Sequence, residues 1–273
     1  MLSVEKSYRV KVSNNVDVQL IGDAPKTVGE RTIFVKNGWN SIGYTPMVNL
    51  PVSTALADYL EEAEDGDLIK SKTEFAMFTT GDHGARDWKG NLKYMKPGEG
   101  YMLYRQKQGN AKFTYPYNEP NATLLDMSGN NRRAPSHIAR NMSLTAIADG
   151  IELQDGDRII AFAEGERRGE AVVNSEFTIN NSQLLFLSID GDSAVPVSFV
   201  IERDGEIIAA TGEVLYYQPD AISGTPDQPT KIHFTNADKL PQGDWYSVQG
   251  YKLSKRPAQK GVYINNGKKQ IIR

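Results

Sequence analysis

Three acid-glycine-acid triplets are the residues in this chain with the best prospect of doing chemistry: Asp65-Gly66-Asp67, Asp155-Gly156-Asp157 and Asp190-Gly191-Asp192. Closely spaced carboxylates suit Ca²⁺, a hard cation that takes six to eight oxygen ligands. Each triplet supplies only two, however, and none is followed by the bidentate Glu of an EF-hand loop. The competing reading makes Asp-Gly the turn and the second Asp its local cap. That reading is favoured, because the first two triplets share the sequel Asp-x-Ile (Asp67-Leu68-Ile69 and Asp157-Arg158-Ile159), as a turn running into a strand would. No metal site is therefore expected, with Asp65, Asp67, Asp155 and Asp157 as the fallback ligands.

Other catalytic constellations are missing from the sequence. His83, His137 and His233 are too far apart for a helical His pair, and Ser136-His137 has no marked acid partner. There is no G-x-S-x-G elbow and no phosphate-binding Gly-rich loop. With no cysteine, disulfides, thiol catalysis and thiolate metal sites are excluded. The expectation is a non-enzyme with no catalytic residue and no cofactor. Trp39 and Trp88 are the candidate ligand-binding residues, since an exposed indole can stack on a sugar ring. Either Trp could equally fill a β core, and the core reading is favoured. Glu164–Glu170 alternates in charge and is read as a solvated hairpin with cross-strand ion pairs.

These residues must be held by strands. Thirteen Tyr and 24 Gly, with many Asn and Asp, favour strands and tight turns over long helices. Hydrophobic content of 39% with 24% charged residues describes a globular chain, and no apolar run approaches the roughly 20 residues that span a bilayer. A net charge of −3 argues against nucleic acid as a partner. The charge is uneven: from Pro241 on, seven basic residues face one acid, leaving that segment at +6.

The fold class expected is mainly β: two antiparallel sandwich-like domains, the first with one short helix, and a small C-terminal β tail. The first domain is placed at 1–119, a linker at 120–136, the second domain at 137–235 and the tail at 236–273. In the first domain, Arg31–Tyr44 gives two strand candidates around Asn37-Gly38. Val52, Ala55, Leu56, Tyr59, Leu60 and Ala63 recur at helical spacing, predicting a helix over Ser53–Ala63. The segment 117–136, rich in Asn, Pro, Ser and Arg, breaks the pattern.

In the second domain seven short strands are predicted: Met142–Ala148, Asp157–Phe162, Gly169–Val173, Leu184–Ile189, Val197–Glu202, Glu206–Ala210 and Glu213–Tyr217. Their turns fall at Asp155-Gly156, Glu164-Gly165, Asp190-Gly191 and Asp204-Gly205. In the tail, Asn266-Gly267 sits between strand-like runs as a hairpin signal. So small a sheet must lean on the preceding domain or serve as a recognition tag.

Leu2–Tyr8 aligns with Met95–Tyr101 at an offset of 93, each followed by strand-like runs. Such spacing marks repeated modules. It implies a chain that opens partway through a module, as a piece of a larger protein would. The N-terminal MLSVEKSYRV lacks the apolar core of a signal peptide.

The tail, with Gln249-Gly250, Pro257, then Lys260-Gly261-Val262-Tyr263-Ile264 and a Gly267-Lys268-Lys269 close, resembles the C-terminal sorting segment of Bacteroidetes surface proteins that leave by the type IX secretion route. NMSLTAIADG, DGDRIIAFAEGERRGEA, LLFLSIDGD, VSFVIERDGEII and SGTPDQP resemble modules near the C-termini of large extracellular proteins of that phylum. GWNSIGY, EDGDLIKS, WKGNL and PGEGYMLY resemble a module that often precedes them. The resemblance implies a secreted or cell-surface location on the outer-membrane exterior and a structural or adhesion-type accessory role. The implied partners are the remainder of its own polypeptide and the secretion machinery, reached through Gly261, Val262, Tyr263, Ile264, Gly267, Lys268 and Lys269. A carbohydrate-binding module using Trp39 or Trp88, with glycans as partners, is the alternative.

Overall fold

The computed structural model describes residues 3, 5–8, 14, 27–81, 84–116, 140–174, 177–179, 182–191, 193–212, 214–237, 245–248, 251–253, 257, 259, 261–265 and 268–272. The chain divides into two compact units, Met1–Ile138 and Ala139–Arg273. The fold is mainly β, with several antiparallel sheets in a sandwich-like arrangement. The linker expected at 120–136, the strand runs 9–12 and 16–21, and His83 and His137 lie outside the described residues.

In the first unit the helical turn α1 (Val28–Arg31) leads into β1 (Thr32–Gly43), β2 (Leu50–Pro51), α2 (Val52–Ala55) and a 3₁₀ turn (Ala57–Tyr59). Then come β3 (Leu68–Lys70), β4 (Phe75–Thr80), β5 (Arg86–Gly90), β6 (Tyr94–Met95) and β7 (Gly100–Thr114). Five of the strands form an antiparallel sheet in the order β1-β7-β3-β4-β5, and β2 pairs with β6. One sheet face and the α2 stretch enclose a core of Ile33, Val35, Ile42, Ile69, Ala76 and Leu103. Through it runs an unbroken string of ring contacts: Tyr101, Tyr44, Tyr115, Phe113, Tyr59, Trp88, Phe78. On the other face Leu68, Phe75 and Met77 are buried as well.

Two expectations for this unit need correction. The helix over Ser53–Ala63 is broken: after Leu56 donates to the Val52 carbonyl, Tyr59 and Leu60 switch to bonds from three residues back. The apolar face was correctly placed, since Val52, Ala55, Leu56, Tyr59 and Ala63 are all buried. One α-turn and one 3₁₀ turn bury that face as well, and so short a helix gains little from its own cooperativity. Residues 31–44 likewise do not form two strands about Asn37-Gly38. They form one strand with a bulge, where Asn37 alone stands opposite residues 106–109 of β7. The Asn40 side chain bonds both the N–H and C=O of Lys36 and the carbonyls of Gly38 and Leu103, supplying what the broken ladder lost.

The second unit contains β8 (Arg140–Asp149), β9 (Arg158–Ala163), β10 (Glu166–Val172), β11 (Thr178–Ile179), β12 (Ser182–Gly191), β13 (Val195–Arg203), β14 (Glu206–Ala210), β15 (Leu215–Tyr217), β16 (Ile222–Ser223), β17 (Thr230–His233) and β18 (Thr235–Asn236). One sheet runs β10-β9-β13-β14-β18, with β15 joined to β13; the other runs β11-β12-β8 and ends in β16 and β17. The last two lie parallel to β8, the exception to the antiparallel pattern. Between the sheets pack Leu144, Ala146, Leu185, Leu187, Ile159, Ala161, Phe199 and Ile201. Glu164-Gly165 and Asp204-Gly205 close two-residue hairpins with positive φ at both positions, the geometry that matches strand twist. Asp190-Gly191 is not a turn: it lies inside β12, paired with Asn141 and Arg140. There the ring of Tyr217 covers Gly191, and its hydroxyl donates to the Arg140 carbonyl.

The end of the chain forms a four-stranded antiparallel sheet from β19 (Trp245–Ser247), β20 (Lys252–Leu253), β21 (Gly261–Asn265) and β22 (Lys268–Ile272), in the order β20-β19-β21-β22. Asn265 pairs with Lys268, as a hairpin through residues 266 and 267 requires, although those two lie outside the described residues.

Candidate functional site

The first two acid triplets build the same device twice. In each, a positive-φ glycine (Gly66 at 91°, Gly156 at 90°) lets the chain turn into the next strand. The second acid's amide donates to the carbonyl three residues back, Asp67 to Glu64 and Asp157 to Gln154. Its carboxylate in return accepts that residue's amide, at 3.3 Å in the first unit and 2.8 Å in the second. The turn is also stitched to a neighbouring strand. Gly66 donates to Phe78 and receives that residue's amide on the Asp67 carbonyl, while Gly156 and Asp157 do the same with Val173.

Both second acids are buried, Asp67 at 0% and Asp157 at 1% exposure, and both are consumed by donors. Asp67 accepts the Tyr59 hydroxyl and the Gln106 amide, each at 2.7 Å. Asp157 accepts Arg203 through Nε at 2.8 Å and Nη2 at 2.7 Å. The first acids go elsewhere: Asp65 accepts the Thr80 hydroxyl at 2.8 Å and Asp155 the Gln183 amide at 3.3 Å. Carboxylates committed in this way are turn caps and strand ties, not converging cation ligands. Among the described residues no group of three or more His, Cys, Asp or Glu could hold a metal ion.

The two devices differ in charge. Burial opposes ionisation of Asp157, but the Arg203 bonds and the Gln154 amide outweigh it, and the carboxyl sits below its ordinary range. Burial also opposes ionisation of Asp67, and there it prevails over the bonds from Gln106, Tyr59 and Glu64, so this carboxyl is raised. Strand register explains the contrast. Leu68 pairs with Tyr104, and Arg158 with Glu202, so Arg105 and Arg203 stand at the same place opposite their acids. Arg105 turns away, however. It is fully buried and donates to the carbonyls of Lys107, Gln108 and Gly109 and, at 3.0 Å, to Glu62. It thereby fills the β7 bulge instead of neutralising Asp67.

Trp88 is not a ligand-binding residue. Its ring is 8% exposed, 5.3 Å from Phe78 edge-to-face and 6.4 Å from Tyr59, so no sugar can reach it. Alternation on β5 turns Trp88 to the core and Asp87 and Lys89 to the other face, while Arg86, on the Trp88 side, lies exposed at the start of the strand with its guanidinium over Phe78. Trp39 is half-buried; its ring is tilted 55° to Tyr104, and Lys70 Nζ lies 4.2 Å from the ring centroid. The pair is thus not coplanar, and the ammonium occupies an indole face that a sugar would need. His233 is exposed and pairs with Asp149 at 3.0 Å, an arrangement without a nucleophile. The alternating run at residues 164–170 is the expected charged hairpin: Arg168 meets Glu164 and Glu166, Arg167 meets Glu170, and Arg158 bridges Glu170 to Glu202.

The tail leans on the preceding domain, one of the two outcomes its small size allowed, but the sequence reading did not name the face it covers. Tyr246 and Ile264 are buried against Ile160, Val200, Ile207 and Ala210, the outer face of the β9-β13-β14 sheet. Full burial of two such side chains contributes on the order of 1.5–3 kcal/mol each. The alternation of Ile160, Val200 and Ile207 with the inner-face residues was a legible sign, since a strand apolar on both faces needs two covers. Of the sorting residues, Ile264 is therefore sealed, Gly261, Val262 and Tyr263 are half-buried, and Gly267 and the Lys268 and Lys269 side chains lie outside what is described. Tyr263 stands in the row Ser247–Tyr263–Gln270, opposite in parity to Ile264, and its hydroxyl donates to the Gln259 carbonyl.

No protein family model, no curated protein and no solved structure matches this chain. Among the described residues no helix is long and apolar enough to cross a membrane.

Proposed function

We propose that this chain is a non-catalytic module of a secreted or cell-surface protein, with a structural or adhesion-type role on the outer-membrane exterior and a C-terminal sorting tail. The observation that carries this reading is the division of labour among its polar residues. The buried acids Asp67 and Asp157 are spent on matching turn clamps, while Lys252, Lys268 and Lys269 belong to strands of a separate four-stranded sheet. A sheet of that size, attached by the Tyr246 and Ile264 side chains, is suited to being read as a unit. Its outward row, Ser247–Tyr263–Gln270, is the face open to a receptor. The carbohydrate-binding alternative loses support with Trp88 in the core and Trp39 beneath Lys70.

The test is surface labelling of cells making the protein with and without residues 245–273, using a membrane-impermeant reagent. Loss of labelling with intact protein accumulating inside is the expected result. Equal labelling of the two forms overturns the sorting role. A Tyr263→Ala, Gln270→Ala chain, which keeps the buried plug, separates loss of recognition from loss of folding.

A further inference from the structure

The offset of 93 residues noticed between Leu2–Tyr8 and Met95–Tyr101 is also present in the hydrogen bonding. The Ser3 amide donates to the Tyr8 hydroxyl at 2.8 Å, and the Lys96 amide donates to the Tyr101 hydroxyl at 2.7 Å. The Lys6 amide donates to the Ser3 carbonyl, and the Glu99 amide to the Lys96 carbonyl, both at 3.3 Å. Each segment therefore carries the same pair of bonds and is closed by a tyrosine that accepts the amide five residues back. Apart from that tyrosine the two segments share no identical residue, so the shared bonds are the stronger evidence of a repeat.

The two loops also touch each other, and they do so at equivalent positions. Ser7 corresponds to Gly100, and a Cβ placed on Gly100 would lie 2.7 Å from the Ser7 Cβ. Around that contact the first loop is held by the second unit of the repeat and by β1. The Gly43 amide donates to the Glu5 carbonyl at 3.0 Å, the Ser41 hydroxyl donates to the Ser7 carbonyl at 2.8 Å, and the Ser7 hydroxyl lies 2.6 Å from that of Ser41 and donates to the Tyr101 carbonyl. Of these contacts Ser7–Gly100 joins like positions, while the others run from the first loop to Ser41, Gly43 and Tyr101, so the second loop and β1 together form a one-way seat for a loop of the same build. The bonds fall mostly on backbone carbonyls, so the seat selects a loop shape more than a side-chain sequence. The tyrosines differ in setting: the Tyr101 ring is fully buried, whereas the Tyr8 ring is 49% exposed.

We propose that the tyrosine-closed loop is a homotypic docking element. The seat made by Ser41, Gly43 and Gly100 receives a second loop of the same build, filled here by Ser3–Tyr8, and modules that carry this loop join loop to loop. The partner is a β module with the same closed loop, not a small ligand. This inference does not depend on where the protein is exported.

Amide exchange of Gly43 in the full chain is the readout, with the Phe78 amide, which donates to the Asp67 carbonyl, as the control for intact folding. Tyr8→Phe removes the acceptor that closes the first loop and is expected to speed Gly43 exchange by on the order of tenfold while Phe78 stays slow. Transplanting the second loop into the first (S3K, V4P, E5G, K6E and S7G together, Tyr8 kept) is expected to leave Gly43 protected. A peptide spanning residues 95–105 is expected to restore protection to the Tyr8→Phe chain, and the same peptide with Phe at position 101 to fail. Gly43 exchange unchanged by Tyr8→Phe, release of Gly43 by the transplant, or no rescue by the tyrosine peptide each overturns the proposal.

Discussion

Arg203 grips Asp157 with two nitrogens, Nε 2.8 Å from Oδ1 and Nη2 2.7 Å from Oδ2, whereas Arg105, at the matching position in the first unit, leaves Asp67 to a tyrosine and two amides. Two copies of one turn thus respond to acid in opposite senses. Asp157 has a depressed folded-state pKa, so its stabilisation is present above the unfolded carboxyl value of about 3.9 and is lost as pH falls through the folded value. Asp67 has a raised one, so its contribution is present below about 3.9 and is lost as pH rises through the folded value. Asp157→Asn should therefore cost the second unit about 3 kcal/mol at neutral pH, near the low end for breaking a buried pair because Arg203 keeps 27% exposure. That cost should shrink on acidification, while the cost of Asp67→Asn should grow. Denaturant titrations at pH 7, pH 4 and about pH 2, followed by residue-resolved amide exchange, give both slopes, the Asp67 change falling above pH 4 and the Asp157 change below it. Slopes of the same sign would refute this account of the two acids.

Trp88 yields a prediction that separates packing from hydrogen bonding. Its indole Nε1 is buried with no hydrogen-bond partner among the described residues, so burying that N–H costs free energy that the ring's packing must offset. Trp88→Ala should destabilise the first unit by about 3–5 kcal/mol, the usual range for emptying a buried aromatic site. Trp88→Phe removes the stranded donor along with some volume and should cost well under half of that. Urea unfolding midpoints at constant slope provide the comparison. A phenylalanine variant as unstable as the alanine one would mean that the indole itself, not the bulk of a ring, is what the site requires.

The strands and turns were largely legible, and the ties between them were not. Asp155-Gly156, Glu164-Gly165 and Asp204-Gly205 were placed correctly because an acid-glycine pair bends the backbone by local chemistry alone. Asp190-Gly191 has the same composition but lies within β12, since eight consecutive pairings with β8 outweigh a local turn preference. Asn37-Gly38 looked like a break between two strands because nothing in the neighbouring sequence reveals that residues 106–109 bulge opposite it. Arg105 and Arg203 lie 38 and 46 positions from Asp67 and Asp157, and only pairing of β7 with β3 and of β13 with β9 brings them near. The first two triplets were read correctly as turns, yet which acid was buried, and by whom, was a tertiary fact.

Arg105 holds the β7 bulge from inside, and its replacement should open that bulge without unfolding the sheet. Its guanidinium faces three consecutive carbonyls, of Lys107, Gln108 and Gly109, and is paired with Glu62. Arg105→Met keeps the stem and removes every donor, leaving those carbonyls to find water. Residues 106–109 should become a site of rapid proteolytic nicking, and the Asn37 side chain should lose its bonds to the Arg105 and Gln106 carbonyls. Arg105→Lys should rescue only in part, because a single ammonium cannot match a planar fork spread over carbonyls and a carboxylate. Limited proteolysis with mass mapping of the fragments checks this. Cleavage spread over both sheets instead of confined to residues 106–109 would show that Arg105 supports the whole unit.

The tail makes a stability prediction as well as a sorting one. Removing Trp245–Arg273 takes Tyr246 and Ile264 off Ile160, Val200, Ile207 and Ala210 and leaves an apolar patch in water. Ile264→Ala in the intact chain should cost about 2–5 kcal/mol if the tail unfolds only together with the second unit. If the tail can lift away while the sandwich persists, the global midpoint should move less than that, and Tyr246 and Ile264 should lose protection together at a free energy below the global value while Ile160 stays protected. Ile160→Ala distinguishes the two, since Ile160 stays with the sandwich: it should weaken tail protection as strongly as Ile264→Ala does. The measurement is native-state amide exchange of the β21 residues in the two variants. A tail that keeps full protection in Ile160→Ala would show that this face does not hold it. A tail that lifts at low cost would present Tyr263 and its neighbours to a receptor with the sandwich still folded.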